Sequence, residues 1–508
     1  MAINLISSII VFIVSMGINF LLTPFILKSL GNEAYGFVGL SNAIVSYASI
    51  ITVAINSVSG RFVAYEWHKN NIPKSNIYYS SVLVVNVFFC IVVVVCSGLF
   101  LLNINKILDV PPHLENDVFL TFVFYFINFC VGLFNGVITV CAFVKNKLYL
   151  ISIRNAISSA ILAICIVLLF YFFKPMIFYI AISALIASLF VFFSTIFISS
   201  RITPELKFSL FAFDFKSIKE LFSSGIYNSF NALNRILITG MDLFICNIFL
   251  NANMTGILAV SKAAPIILES FVAQISFIFS PKFVELYSKG EIKSLIIQSK
   301  LSMRITAFIL IAPVAVFVAF GQEFYTLWLP FKNQSEISLI YELSLVVLLP
   351  ILLISFVFSL FNLDSATNQL RRPAIANTIL GFGTILAQIA ILKFTNYGIY
   401  GIVVTAAIFY SLRICFFDLI NASLNLNQPI STFYPAFFRL VCVFMTILLM
   451  VFGLKFYINI SITSWIDFVL HSILFAIFGY VFCLFLLFNQ KERQSIMGLI
   501  KSKLRQNK

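Results

Sequence analysis

The chain has 508 residues, of which 61% are hydrophobic and only 10% are charged, and its mean hydropathy is +1.05. A soluble domain carries roughly 25% charged residues, so a soluble globular fold is excluded. The formal net charge of +14 is no nucleic-acid signature, because the cations fall in loops between apolar runs, as membrane insertion requires.

Apolar runs of about 20 residues are long enough to cross a bilayer. About fourteen occur: 5–27, 36–60, 77–102, 117–143, 150–173, 176–198, 219–249, 255–279, 302–321, 338–361, 374–394, 397–420, 434–457 and 464–488. The first run lacks a basic n-region and is followed by further spans, so it reads as an uncleaved first helix and not as a signal peptide. The predicted fold is all-α, a polytopic integral membrane protein with both termini in the cytoplasm. That orientation places 25 of the 33 Lys and Arg inside and six outside, and leaves Arg235 and Lys262 in the membrane. Segment 199–218 reads as a cytoplasmic linker with an amphipathic element on the membrane surface. The short basic tail, 491–508, suits attraction to anionic lipid. None of the nine cysteines forms a CxxC pair and the three histidines lack ligand spacing, which predicts neither a disulfide framework nor a metal site.

A weak repeat divides the chain. With a shift of 220, Leu30 meets Leu250, Gly36 meets Gly256, Ser41 meets Ser261 and Ala43 meets Ala263. With one residue inserted, Arg61-Phe62-Val63 meets Lys282-Phe283-Val284. An even number of spans separates the copies, so the repeat is parallel. It predicts an N-lobe, 1–198, and a C-lobe, 219–420, with two extra helices in 421–490. Two such lobes usually enclose a central cavity and rock to expose it alternately.

The seventh and eighth spans carry the informative charges. Arg235 and Asp242 are spaced i,i+7 on one, and Lys262 and Glu269 are spaced i,i+7 on the other. With residue 252 as the turn, Asp242 and Lys262 fall at one depth, and Arg235 and Glu269 at another. A charge at mid-bilayer costs roughly 2.5–3.5 kcal/mol on insertion scales. Asn228, Asn231, Arg235 and Asp242 share one stripe of a regular helix. Two readings stand for it: a cavity lining, or helix–helix hydrogen bonding. Lys262 and Arg235 are either anion contacts or fixed partners of Asp242 and Glu269. The two acids are also candidates for carrying a coupling ion. Asp467 and His471, one turn apart on the last helix, read as a local pair. No Walker A sequence occurs, so no ATPase is built in, and neither GxSxG nor HExxH is present.

The stretch P-F-I-L-K-S-L-G-N-E-A-Y-G-F-V-G-L-S-N-A-I, residues 24–44, resembles the first hairpin of Wzx-type polysaccharide flippases. There a leucine-rich helix end, L-G, an acidic residue and Y-G precede the second helix. The stretch G-I-L-A-V-S-K-A-A-P-I, residues 256–266, is similar to the eighth helix of that family and of the lipid II flippases, which carry a cation at the position of Lys262. The hydropathy pattern resembles the multidrug/oligosaccharidyl-lipid/polysaccharide exporter superfamily over nearly the whole chain. Fourteen helices fit its flippase branches better than its twelve-helix drug exporters.

The resemblance implies a flippase of the bacterial inner (cytoplasmic) membrane. It would move an undecaprenyl-pyrophosphate-linked oligosaccharide, an O-antigen or related repeat unit, to the periplasmic leaflet by alternating access. No cofactor is expected, and H+ or Na+ would drive the cycle. Lys262, Arg235, Asn231 and Asn228 are then the substrate contacts, Lys262 foremost for the diphosphate, and Asp242 and Glu269 the ion-coupling groups. Membrane lipid, a polysaccharide polymerase and a chain-length regulator are the implied partners. The alternatives are a cation-coupled small-molecule exporter of the same fold and a membrane enzyme such as a polymerase.

Overall fold

The computed structural model describes residues 2–493 except 146, 459, 461 and 491; the side chains of 2–6, 8, 9, 51, 143, 210, 231, 235, 238, 239 and 277 lie outside the description, as does the basic tail. Every regular element among the described residues is helical. Twelve helices are long and apolar enough to cross a membrane. The first, α1 (Ala2–Tyr47), spans two predicted segments and breaks at Gly31, whose φ of 81° suits only glycine. Dividing it there, with residues 32–68 as one rod, and adding the rod at 215–249, whose polar first half lowers its hydropathy, gives fourteen rods among the described residues.

The chain forms two compact units. The first comprises residues 1–259 and 381–402. It holds α1, α2 (Ser49–His68), α3 (Ile72–Leu102), α4 (Glu115–Ile138), α5 (Leu148–Phe172), α6 (Phe178–Ile202), α7 (Phe215–Arg235), α8 (Met241–Phe249) and the first turns of α9 (Ala252–Phe277). Apolar clusters fill it, among them one around Leu22, Ile26 and Ile166, one around Phe37, Phe122 and Ile177, and one around Val63, Val82 and Val137. Asp117 of α4 caps α6 across the fold: its two carboxylate oxygens accept from the amides of Ile177 and Phe178 at 2.7 and 2.8 Å. Those amides are among the donors a helix start leaves without an internal partner.

The linker forms no amphipathic helix. Between the helix ending at Ile202 and the one starting at Phe215 it contains one 3-10 turn, Leu210–Ala212, and otherwise runs as irregular chain held by the start of α3. Asn76 donates to the Glu205 carbonyl and accepts from the Lys207 amide, and the Ser80 and Ser81 hydroxyls accept from the amides of Ser209 and Asp214. These bonds satisfy the linker backbone without a helix. Phe208, Phe211, Phe213 and Phe215 stand exposed along it.

The second unit comprises residues 260–380 and 403–508. After α9 it holds α10 (Ser280–Ser288), α11 (Ile292–Trp328), α12 (Gln334–Val357), α13 (Phe361–Ala366), α14 (Arg371–Phe394), whose later part belongs to the first unit, α15 (Gly398–Arg413), α16 (Leu419–Asn425), α17 (Tyr434–Ile458) and α18 (Trp465–Leu487). Its core runs along α11, where Ala307, Ile311, Ala315 and Phe320 are fully buried. Arg304 of α11 makes a two-pronged pair with Glu492 at 2.9 Å, which ties the chain after α18 back to the core.

Candidate substrate and ion contacts

The rod carrying Asn228 and Asp242 is not one regular helix. A π-helical turn, Ile236–Gly240, joins α7 to α8. A π turn takes more residues than an α turn, so the spacing that put Asp242 on the Asn228 stripe no longer returns to that face. Asn228 donates to the Ser57 hydroxyl of α2 at 2.9 Å, a helix–helix bond. Ser229 donates to the Ile50 carbonyl and Arg61 to the Ser224 hydroxyl, so α2 and α7 are joined along their length. At Gly225 the backbones nearly touch: a β-carbon there would lie 1.8 Å from the Ala54 carbonyl oxygen. The side chains of Asn231 and Arg235 lie outside the described residues.

Asp242 opens α8 and is buried, with its Oδ1 accepting from the Leu243 amide at 2.9 Å. Tyr47, at the end of α1, donates its hydroxyl to the Gly240 carbonyl at 2.8 Å, within electrostatic reach of Asp242. Lys262 is 8% exposed on α9, and Glu269 is half-buried two turns further on. Asp242, Lys262 and Glu269 each have an interaction partner. Asn42, the repeat equivalent of Lys262, donates to the Tyr125 hydroxyl at 3.3 Å. The repeat-equivalent glycines meet directly: a β-carbon on Gly36 would lie 2.7 Å from the Gly256 nitrogen, and one on Gly256 2.0 Å from the Asn32 carbonyl oxygen. On the last helix, His471 reaches the backbone carbonyl of Asp467, not its carboxylate, which instead accepts from the Ser464 and Thr463 hydroxyls. The one-turn spacing brings the ring to the carbonyl four residues back, while the carboxylate turns to the helix start.

Three features escaped sequence reasoning. Arg154, counted with the cytoplasmic-side cations although it falls inside the run 150–173, is 6% exposed, with its guanidinium donating to Asn155 and Thr195. A second π turn, Ile414–Asp418, follows α15, and around it gather Asp364, Arg413, Asp418, Asn421 and Asn425. Beside that turn lies an apolar cleft of about 690 Å³, walled by Val318, Leu348, Leu352, Ile408, Phe416 and Phe444. Leu349, Ile408 and Phe416, all at its walls, are more than half exposed. The cleft suits a hydrocarbon chain and offers almost nothing to a sugar. Among the described residues no cluster of three or more His, Cys, Asp or Glu forms a metal centre.

The architecture is that of known transporters. The chain matches the lipid II flippase MurJ in its inward closed conformation with a TM-score of 0.70, at 14% identity, over 96% of this chain and 98% of that one. It matches an inward-facing multidrug resistance MATE family transporter of the MOP superfamily with a TM-score of 0.67, at 10% identity, over 82% of this chain and 94% of that one. The chain therefore has the MOP superfamily transporter fold. In sequence it is similar to EpsK, an uncharacterized membrane protein of Bacillus subtilis (strain 168), at 28% identity over 423 residues, 83% of each chain. No family model matches the chain.

Proposed function

We propose that the chain is a lipid-linked oligosaccharide flippase. It carries an undecaprenyl-pyrophosphate-linked repeat unit from the cytoplasmic to the outer leaflet of the bacterial cytoplasmic membrane, coupled to an ion. The observation that carries this reading is coverage. The flippase fold accounts for 96% of the chain, including the two helices after residue 421, whereas the drug-exporter fold accounts for 82%. The apolar cleft supports a substrate with a hydrocarbon tail, which a soluble drug lacks. In this reading the parallel repeat defines lobes 1–198 and 219–420, which alternate access. Lys262 contacts the diphosphate, because a cation in a water-poor site holds an anion far more strongly than in bulk water. Arg235 is the second anion contact, Asn228 and Asn231 line the path, and Asp242 and Glu269 carry the coupling ion.

The test is complementation of a deletion strain, with surface polysaccharide and lipid-linked intermediates as readouts. Loss of the gene leaves lipid-linked units on the cytoplasmic side and no surface polymer. Lys262→Ala fails to restore export while the protein still accumulates. Normal polysaccharide in the deletion strain, with a drug-susceptibility change instead, would assign the chain to small-molecule export. Restored export in Lys262→Ala combined with Asp242→Ala would show that the lysine serves only to neutralise the acid.

A further inference from the structure

The far end of α3 carries a small polar pocket that the substrate and ion contacts leave unused. It lies where α3, the loop after it and the start of α4 meet. Its volume is about 230 Å³, and Leu102, Asn103, Lys106, Glu115, Asn116 and Phe119 are among its lining residues. It stands at the opposite end of α3 from the linker, which is held by Asn76, Ser80 and Ser81. The apolar run of α3 stops at Leu102, and Asn103, Asn105 and Lys106 follow. A spanning helix changes character in this way where hydrocarbon gives way to headgroups.

Its charges are opposite and unspent. Lys106 and Glu115 both line the pocket, yet among the described residues neither side chain makes a hydrogen bond or an ion pair. The Asn116 side chain makes none either. Asn103 donates to the Leu99 carbonyl at 3.1 Å, which leaves its own oxygen able to accept. On one side the pocket runs into an apolar stripe. Phe88, Ile91, Val95, Leu99 and Leu102 recur every three or four residues on one face of α3, and all are more than half exposed. Phe119 of α4, also exposed, flanks the end of the stripe. Exposed apolar side chains along a spanning helix meet the acyl chains of the bilayer.

We propose that this pocket binds the headgroup of a zwitterionic aminophospholipid of the phosphatidylethanolamine type. Lys106 takes the phosphate and Glu115 the primary ammonium. The Asn103 oxygen accepts from that ammonium, and the Asn116 amide donates to a phosphate oxygen. The acyl chains then run along the α3 stripe. Charge selects the ligand, because Lys106 and Glu115 sum to zero, as the headgroup does. An anionic lipid supplies the phosphate but sets no cation against Glu115. A choline headgroup brings a quaternary ammonium, which has no N–H to donate to that carboxylate. A free sugar leaves both charges unmatched. Bound there, the lipid braces the joint between α3 and α4. The site is separate from Lys262, Asp242 and Glu269, and it holds whatever cargo the chain moves, since binding is read without transport.

The experiment uses the purified full-length chain, stripped of lipid in detergent. Dioleoyl phosphatidylethanolamine, phosphatidylcholine and phosphatidylglycerol are titrated in turn, with thermal unfolding and native mass spectrometry as readouts. The ethanolamine lipid should raise Tm saturably, with an apparent affinity about tenfold or more above the other two. Glu115→Gln should erase that advantage, and Lys106→Gln should weaken all three lipids. Three outcomes overturn the proposal: equal responses to the three lipids, a ranking unchanged in both variants, or an equal response to glycerophosphoethanolamine or free hexoses at matched concentration. Both side chains are exposed, so the variants should fold. If they do not, an ethanolamine lipid with a photoreactive acyl chain decides on the wild-type protein. Labelling is expected on the α3 stripe near Leu99 and Leu102, and labelling only elsewhere, or none, would overturn the site.

Discussion

A methyl group added at Gly225 or Gly256 has nowhere to go, because the atoms it would meet are backbone carbonyl oxygens at 1.8 and 2.0 Å. Backbone cannot swing aside as the end of a side chain can. Gly225→Ala and Gly256→Ala are therefore expected to cost about 1–3 kcal/mol or more. Gly132→Ala, which opens onto free space, should stay within about 1 kcal/mol of wild type. Thermal unfolding of the three variants in detergent checks the contrast. Asp214 acts on a different term. It precedes α7, and its carboxylate accepts from the Ser217 hydroxyl and from the amides of Ser217 and Lys216. The Ser217 hydroxyl, then its amide, hold the Asp214 carboxyl below its ordinary value of 3.8. A depressed folded-state pKa stabilises fully above the unfolded value, and that stabilisation is lost as pH falls through the folded value. Asp214→Ala should thus lower Tm at neutral pH, and its deficit should shrink below about pH 4. A deficit independent of pH would show that the carboxylate is not the source.

At the scale of helices, polar side chains act chiefly as ties. Asn56 of α2 and Asn86 of α3 exchange reciprocal amide bonds at 3.0 Å, and Asn86 also donates to the Leu133 carbonyl of α4. One fully buried residue therefore fastens three helices. Asn86→Leu strands both Asn56 and that carbonyl, with an expected cost of about 1–3 kcal/mol. Adding Asn56→Leu should recover part of the loss, because the stranded amide goes with it; a double-mutant cycle on Tm measures the coupling. The two π turns follow one pattern. Each has a carbonyl taken by a tyrosine hydroxyl from another helix, Gly240 by Tyr47 and Cys415 by Tyr434. Widened turns of this kind often mark functional positions, and here each stands at or just before a buried aspartate, Asp242 and Asp418.

For the whole molecule, charge asymmetry makes a testable statement about sidedness. Exposed Lys207 lies in the linker and exposed Asn105 in the loop after α3, which the cation bias assigns to opposite sides. In a background without native cysteines, Asn105→Cys should react with a membrane-impermeant maleimide in intact cells. Lys207→Cys should react only after permeabilisation. Labelling of both in intact cells would overturn the orientation.

Composition and periodicity alone determined an all-helical membrane protein of about fourteen rods, since a bilayer admits few other ways to satisfy the backbone of long apolar runs. Gly36 and Gly256, which the repeat alignment singled out, approach backbone closely, and such an approach demands glycine. The charged hairpin was legible as residues, but its geometry was not. Sequence spacing assumes a regular helix, and only the tertiary structure reveals the π turn at Ile236–Gly240. Sequence left Asn228 as cavity lining or as a helix–helix tie, and the hydrogen bond it makes to Ser57 was not legible there. The Asp364 cluster was invisible for the same reason. Asp364 stands 57 and 61 residues before Asn421 and Asn425, each unremarkable beside its chain neighbours, and only folding sets two asparagines of α16 on one carboxylate of α13.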